Sequence, residues 1–250
     1  MLNKLTLLNF TTKFKLTNQE CRYSGKPVTV GSNLDDMNSN IVTYYKDRAT
    51  EYEKVYSKPE RQSDLLLAEQ ILQDTFAGKN VYEIACGTGY WTEKICKTAK
   101  EVLATDINDT VLQVAKLKNY QTAKVDFQTE DIFNLTNINK HESLFGGFIW
   151  SHIKLQDLSK FINIANSLVK NGGTIVFMDN NYVEGSNLPV TDTDKLGNTY
   201  QTRKLENKTT HKVLKNFPTE IFIQQLLKDR ATDINFINLQ YYWILKYKSI

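Results

Sequence analysis

Proline is scarce in this chain, with four residues in 250, and glycine (11), histidine (3) and cysteine (3) are few as well. So little proline and glycine excludes collagen-like and low-complexity architectures. Cys21, Cys86 and Cys96 are odd in number and lack metal-ligand spacing, which excludes a disulfide framework and points to a reducing compartment. No apolar run approaches the ~18 residues of a membrane helix. The first residues, MLNKLTLLNFTTKFK, place Lys4 inside a short apolar stretch and offer no small-residue cleavage site, unlike a signal peptide. Neither charge sign dominates: 31 Lys+Arg face 28 Asp+Glu, a formal +3, and no Lys/Arg run tracks a nucleic-acid backbone. What the chain does have is 41% hydrophobic and 24% charged residues, enough at this length to bury roughly 70–75% of its unfolded surface. The expectation is a cytoplasmic globular protein with no nucleic-acid or membrane partner. Its oligomeric state is not legible.

Residues 1–39 are polar and aperiodic and read as a flexible N-terminal extension, leaving 40–250 as a single domain. Helical periodicity starts at Ile41 and runs to Tyr56, then resumes from Arg61 and closes at Gly78. Beyond Gly78 the chain alternates. Strands are expected at Val81–Ala85, Glu101–Asp106, Ala123–Thr129, Gly146–His152 and Thr174–Asp179, with helices between them and a Gly172-Gly173 stop before the fifth. Such alternation specifies a doubly wound, mostly parallel α/β sheet. The stretch 180–216 is polar and turn-rich and reads as a lid-like insertion. A helix over Phe217–Asp229 with Thr219 as N-cap is then followed by two β-rich runs joined near Asn238, an antiparallel C-terminal hairpin. The sheet then has seven strands.

The most informative stretch is VYEIACGTGYWT (Val81–Thr92), where Gly87 and Gly89 sit at a strand-to-helix turn. Glycine there permits a tight turn and close approach of a ligand to the backbone. The dinucleotide fingerprint would place a third glycine at position 92, which is Thr92. Glu83, just before the loop, repels a pyrophosphate and suits a cation. A ligand with an ammonium and a sulfonium but no phosphate fits better than NAD, and S-adenosyl-L-methionine is such a molecule. Asp106 ends the second strand, where a carboxylate can accept from a ribose diol. Asp131 follows the third, within reach of an adenine amino group. Three acids at the ends of three consecutive strands around a glycine loop carry more weight than any one of them.

The segments EIACGTGY (Glu83–Tyr90), TDIN (Thr105–Asn108) and EDIF (Glu130–Phe133) resemble the cofactor motifs of class I S-adenosylmethionine-dependent methyltransferases. The likeness spans about residues 41–248 and extends to YYKDRATEYE, GGFIWSH, DNNYVEG and the stretch Gly197–Thr219. It implies that Glu83, Ala85, Gly87 and Gly89 hold the methionine moiety, Asp106 and Ile107 the ribose, and Asp131 with Ile132 the adenine. It also implies that the first helix lies over the cofactor, bringing Tyr45 and Tyr52 towards it. Those tyrosines, with Arg48 and Tyr56, equally suit a plain docking face.

Methyl transfer is an in-line displacement that needs alignment and sometimes a base. Ile149-Trp150-Ser151-His152 falls where the acceptor should lie. His152 is the candidate catalytic base, or a hydrogen-bonded histidine at a strand end. Trp150 either flanks the cofactor or packs in the core. Cys86 reads as a small buried filler and His211 as a loop histidine. The N/D-P-P-Y/F signature of amino-group methylation is absent, and no metal cluster is evident. The expected activity is methylation of an O, N or S nucleophile on a small molecule. The alternatives are a non-catalytic S-adenosylmethionine or S-adenosylhomocysteine binding module and an NAD-dependent oxidoreductase.

Overall fold

The computed structural model describes residues 52–120, 123–135, 139–205 and 208–250. The extension 1–39, most of the first helical segment and Tyr45 lie outside the described residues, as does the side chain of Tyr52.

A 3₁₀ turn, Tyr52–Ser57, leads into helix α1, Gln62–Phe76. Leu65, Ala68, Leu72 and Phe76 recur at helical spacing and are buried along one face, and Gly78 at φ +68 ends the run in the left-handed region. There follow β1 (Asn80–Ile84), α2 (Tyr90–Ile95), β2 (Glu101–Asp106), α3 (Asp109–Lys116), β3 (Lys124–Thr129), β4 (His141–Gly147), α4 (Leu158–Ser167) and β5 (Val169–Asn180). Beyond these lie β6 (Asp192–Thr193), β7 (Thr199–Lys204), β8 (Thr210–Leu214), α5 (Glu220–Leu227), β9 (Ala231–Asn238) and β10 (Tyr242–Ser249). Asn108 caps α3 by accepting from Thr110 N, and Thr219 caps α5 by accepting from Phe222 N.

One seven-stranded sheet has the order β3-β2-β1-β4-β5-β10-β9. Pairings among β1 to β5 are parallel, and β10 runs antiparallel to both β5 and β9. The chain winds outward from β1 to β3 on one side and to β5 on the other. This opens a crevice beyond the carboxyl ends of β1 and β4, the switch point where doubly wound sheets bind ligands. Two apolar clusters cover the sheet, one holding Leu72, Phe76, Ile95 and Phe145, the other Trp150, Phe161, Phe177 and Trp243.

Two boundaries differ from the sequence expectation. The fourth strand occupies His141–Gly147 rather than Gly146–His152; Phe148 at φ +60 turns the chain away, and Trp150–His152 form a 3₁₀ turn. Its polar start concealed it, although Ser143 is buried and donates to Asn80 O. The fifth strand starts at Val169, and Gly172-Gly173 lie inside it, across a register irregularity against β4, rather than ending a helix. In the stretch 180–216, β6, β7 and β8 form a small antiparallel sheet. Among the described residues, no helix is long and apolar enough to cross a membrane.

Candidate active site

The carboxyl ends of the parallel strands enclose a cavity of about 160 Å³. β1 contributes Ile84 and then Ala85 and Gly87, β2 contributes Asp106 followed by Ile107, the turn after β3 supplies Asp131 and Ile132, and Phe148 and His152 follow β4. The loop between β1 and α2 is shaped by left-handed backbone at Ala85 (φ +51), Gly87 (φ +57) and Gly89 (φ +78). A non-glycine residue at positive φ is a local strain, here held where the chain borders the cavity. Gly87 N donates to Asp106 Oδ2 and Asn108 N to Asp106 Oδ1, both at 2.9 Å, so the aspartate ties the loop after β1 to the loop after β2. Burial pushes the Asp106 carboxyl up, and these backbone donors partly offset that. Asp131 accepts from Phe133 N at 2.9 Å and from Asn134 Nδ2 at 2.6 Å.

Glu83 lies within β1 and does not border the cavity. It is 1% exposed, and its Oε2 has no hydrogen-bond partner among the described residues. Burial, reinforced by the Asp106 charge, pushes its carboxyl up to about 8; the nearby Thr92 hydroxyl, which makes no well-formed hydrogen bond, pulls weakly the other way. A buried carboxyl oxygen without a partner is costly, and a cation beside it would offset that cost.

His152 is half-buried and lines both this cavity and a second one of about 360 Å³. Its Nδ1 is 2.6 Å from the Leu214 carbonyl, which can only accept, so Nδ1 carries the proton and Nε2 keeps a lone pair. Burial, then the Lys215 and Arg203 charges, hold this imidazole well below the usual histidine range, against the opposing pull of Asp179. Behind it, Lys215 Nζ meets Asp179 Oδ1 at 2.7 Å and Ser151 Oγ at 2.6 Å, with both charged residues buried. Ser151 N donates to Asp179 Oδ2 at 2.9 Å, which fixes the turn that carries His152.

The second cavity shares Phe148 and His152 with the first. Its other walls come from the segment around Tyr56 and Arg61, the turn after β5, and strands β7 and β8 with the residues that follow them. The 3₁₀ turn is pinned over the glycine loop: Thr88 Oγ1 donates to Glu53 Oε1 at 2.8 Å, and Tyr56 stacks on Tyr90 with ring centroids 3.8 Å apart.

Of the residues singled out in the sequence, Ala85, Gly87, Asp106, Ile107, Asp131, Ile132 and His152 converge on the first cavity. Three do not border it: Glu83, Trp150 and Gly89. Trp150 is fully buried, edge-on to Phe161, Phe177 and Trp243, so it is a core residue and not a cofactor flank. Gly89 faces α3; a Cβ there would stand 2.4 Å from Tyr120 Oη and 3.1 Å from Ala115 Cβ, so this glycine serves helix packing. Cys86 is a free, buried thiol pushed up by burial, consistent with a filler. Sequence reasoning missed Phe148, Arg61 and the Asp179–Lys215 pair. Only an aspartate ending a buried strand hinted at the last.

The strand order with its antiparallel hairpin is the class I methyltransferase fold. Residues 81–173 match a family model described as a methyltransferase domain. Among solved structures it is similar to a DhpI–SAH complex (20% identity, 87% of this chain and 98% of that chain, TM-score 0.72). A DhpI–SAM–HEP complex gives 19% identity, 87% and 100% coverage and a TM-score of 0.71. The N-methyltransferase NodS from Bradyrhizobium japonicum WM9 with S-adenosyl-L-homocysteine gives 12% identity, 84% and 98% coverage and a TM-score of 0.58. No curated protein sequence is significantly similar to the chain.

Proposed function

We propose that this protein moves a methyl group from S-adenosyl-L-methionine to an oxygen, nitrogen or sulfur nucleophile of a small molecule held in the second cavity. The observation that carries this is the pair of cavities meeting at Phe148 and His152, one bordered by the strand-end acids and one polar. A binding module needs only the first. The site fits the cofactor: Glu83 Oε2, without a hydrogen-bond partner among the described residues, suits the ammonium end, Asp106 retains lone pairs for a ribose diol, and Ile107, Ile132 and Phe133 form an apolar slot for a base. Neighbouring structures that hold S-adenosylmethionine or S-adenosylhomocysteine support the same choice.

When bound, the cofactor supplies an electrophilic methyl on sulfonium. The chain supplies alignment across the shared wall, and His152 Nε2 accepts the proton that the acceptor gives up as its bond to the methyl forms. The Leu214 carbonyl holds the ring in the tautomer this requires. The small sheet β6-β7-β8 and the 3₁₀ turn cover the acceptor side.

Incubation with methyl-labelled cofactor and a pool of metabolites is the test. Labelled product is expected; cofactor binding at micromolar concentration with persistent absence of product would instead favour the binding module.

Glu83→Gln gives a second check with two readouts. The amide cannot supply a charge to the ammonium, so cofactor affinity is expected to fall about 10- to 100-fold. Stability should move the other way. A carboxyl raised in the folded state to about 8 from its ordinary 4.5 costs stability as pH climbs through that window, and glutamine removes the cost. Thermal melts at pH 6 and pH 9 should show the variant gaining on the wild type at the higher pH. Unchanged affinity with unchanged melts would remove Glu83 from the site.

A further inference from the structure

Among the described residues, the wall of the second cavity carries Lys54, Lys58, Arg61, Arg203, Lys204 and Lys215, and no aspartate or glutamate. Methyl transfer by itself does not call for this, because a cationic cofactor is held better by acids. Lys215 has its partner in Asp179. Arg61 has no carboxylate partner among the described residues. It is 5% exposed and donates to four neutral oxygens: Ser186 Oγ at 3.0 Å, Asn180 Oδ1 and Ser186 O at 3.1 Å, and Asn187 Oδ1 at 3.3 Å. Its guanidinium also lies over the rings of Tyr241 and Tyr242, at 5.3 and 5.6 Å. Glu60 is the acid nearest in sequence; it is exposed, accepts from Ser186 Oγ at 2.8 Å and does not border the cavity, though its charge reaches both Lys58 and Arg61.

Lys58 donates to the same Ser186 carbonyl as Arg61, so two cations share one neutral acceptor. Burial and then the Arg61 charge push the Lys58 ammonium down, and the Arg61 field also reaches Lys215. One role for Arg61 is plain: it fastens the turn at Ser186–Asn187 to the start of α1. That accounts for its neutral hydrogen bonds. It leaves unexplained why a buried guanidinium, with only the exposed Glu60 as a nearby acid, and further cations from β7 and the 3₁₀ turn converge on one space. A buried charge countered only by an exposed, solvated acid is unfavourable, and an anion in that space offsets the cost.

We propose that the methyl acceptor is a small oxyanion, phosphoryl or dicarboxylate, anchored by Arg61 with Lys58 and Lys204 around it. The inference rests on reading the second cavity as the acceptor site. The anionic group settles among the cations, and the rest of the molecule reaches the wall shared by Phe148 and His152.

Calorimetric titration of the full chain with inorganic phosphate, methylphosphonate, malonate and uncharged glycerol, with and without saturating S-adenosyl-L-homocysteine, tests this. At least one anion should bind with a Kd of about 1 mM or tighter and weaken with added salt, while glycerol gives no heat. Methylphosphonate against malonate then separates phosphoryl from carboxylate recognition. Arg61→Met should weaken the anion more than about tenfold, and the Lys58→Met/Lys204→Met double variant by a similar factor. Affinity for S-adenosyl-L-homocysteine should stay unchanged in both variants. Lys204 is exposed and Lys58 half-buried, so the double variant remains informative if Arg61→Met does not fold. Absence of anion binding below about 10 mM, or equal anion affinity in wild type and double variant, overturns the inference. Loss of S-adenosyl-L-homocysteine binding with anion binding intact would instead overturn the proposed reaction.

Discussion

Lys215→Met is expected to lower the melting temperature by about 10 °C. Lys215 and Asp179 are 4% and 0% exposed, and their contact at 2.7 Å is the charge balance of a buried turn. Burial works to raise the Asp179 carboxyl, but the adjacent Lys215 ammonium and the hydrogen bonds from Lys215 and Ser151 N hold it below the usual carboxylate range. Removing the ammonium leaves a buried carboxylate and strips Ser151 Oγ of its donor. Such a loss costs about 3–5 kcal/mol, or roughly 6–20 °C for a domain of this size. Asp179→Asn added to Lys215→Met should recover part of the loss, since the amide carries no charge to compensate. Differential scanning calorimetry of the three variants decides it. A single-variant melting point within about 2 °C of the wild type would mean the pair contributes little.

His152→Ala should lower kcat about 100-fold or more when the acceptor must lose a proton, the usual contribution of a positioned base. The pH profile is the sharper readout. A base works only while deprotonated, so its rate falls as pH drops through its own value. Burial, Lys215 and Arg203 displace that value downward, with Asp179 and the Leu214 carbonyl opposing, so the acid limb of kcat/KM should lie below the ordinary histidine range. A wild-type limb at pH 6.5 or above, or a His152→Ala enzyme with full turnover across the range, would remove His152 from the chemistry.

The order of strands and helices was legible because each parallel strand is a short apolar run bounded by turn residues, and because Gly87, Gly89, Asp106 and Asp131 fall where those runs end. The second cavity was not. Its cations come from the 3₁₀ turn, the start of α1, β7 and the residue after β8, which lie far apart in the chain and meet only through the fold. The boundary of β4 was misplaced because its first residues, His141, Glu142 and Ser143, are polar, while the apolar Phe148–Trp150 stretch continues past its end as a turn. Trp150 shows the same limit. An aromatic next to a site motif points either to the ligand or to the core, and here its three aromatic neighbours settle the choice.

The central claim is that the crevice at the ends of β1, β2 and β3 selects a sulfonium nucleoside over a pyrophosphate. Isothermal titration of the wild-type chain with S-adenosyl-L-methionine and, separately, with NAD addresses it most directly. Micromolar binding of the first and no heat from the second is the expected result. Tighter binding of NAD would contradict the assignment of Glu83, and with it the reading of the whole site.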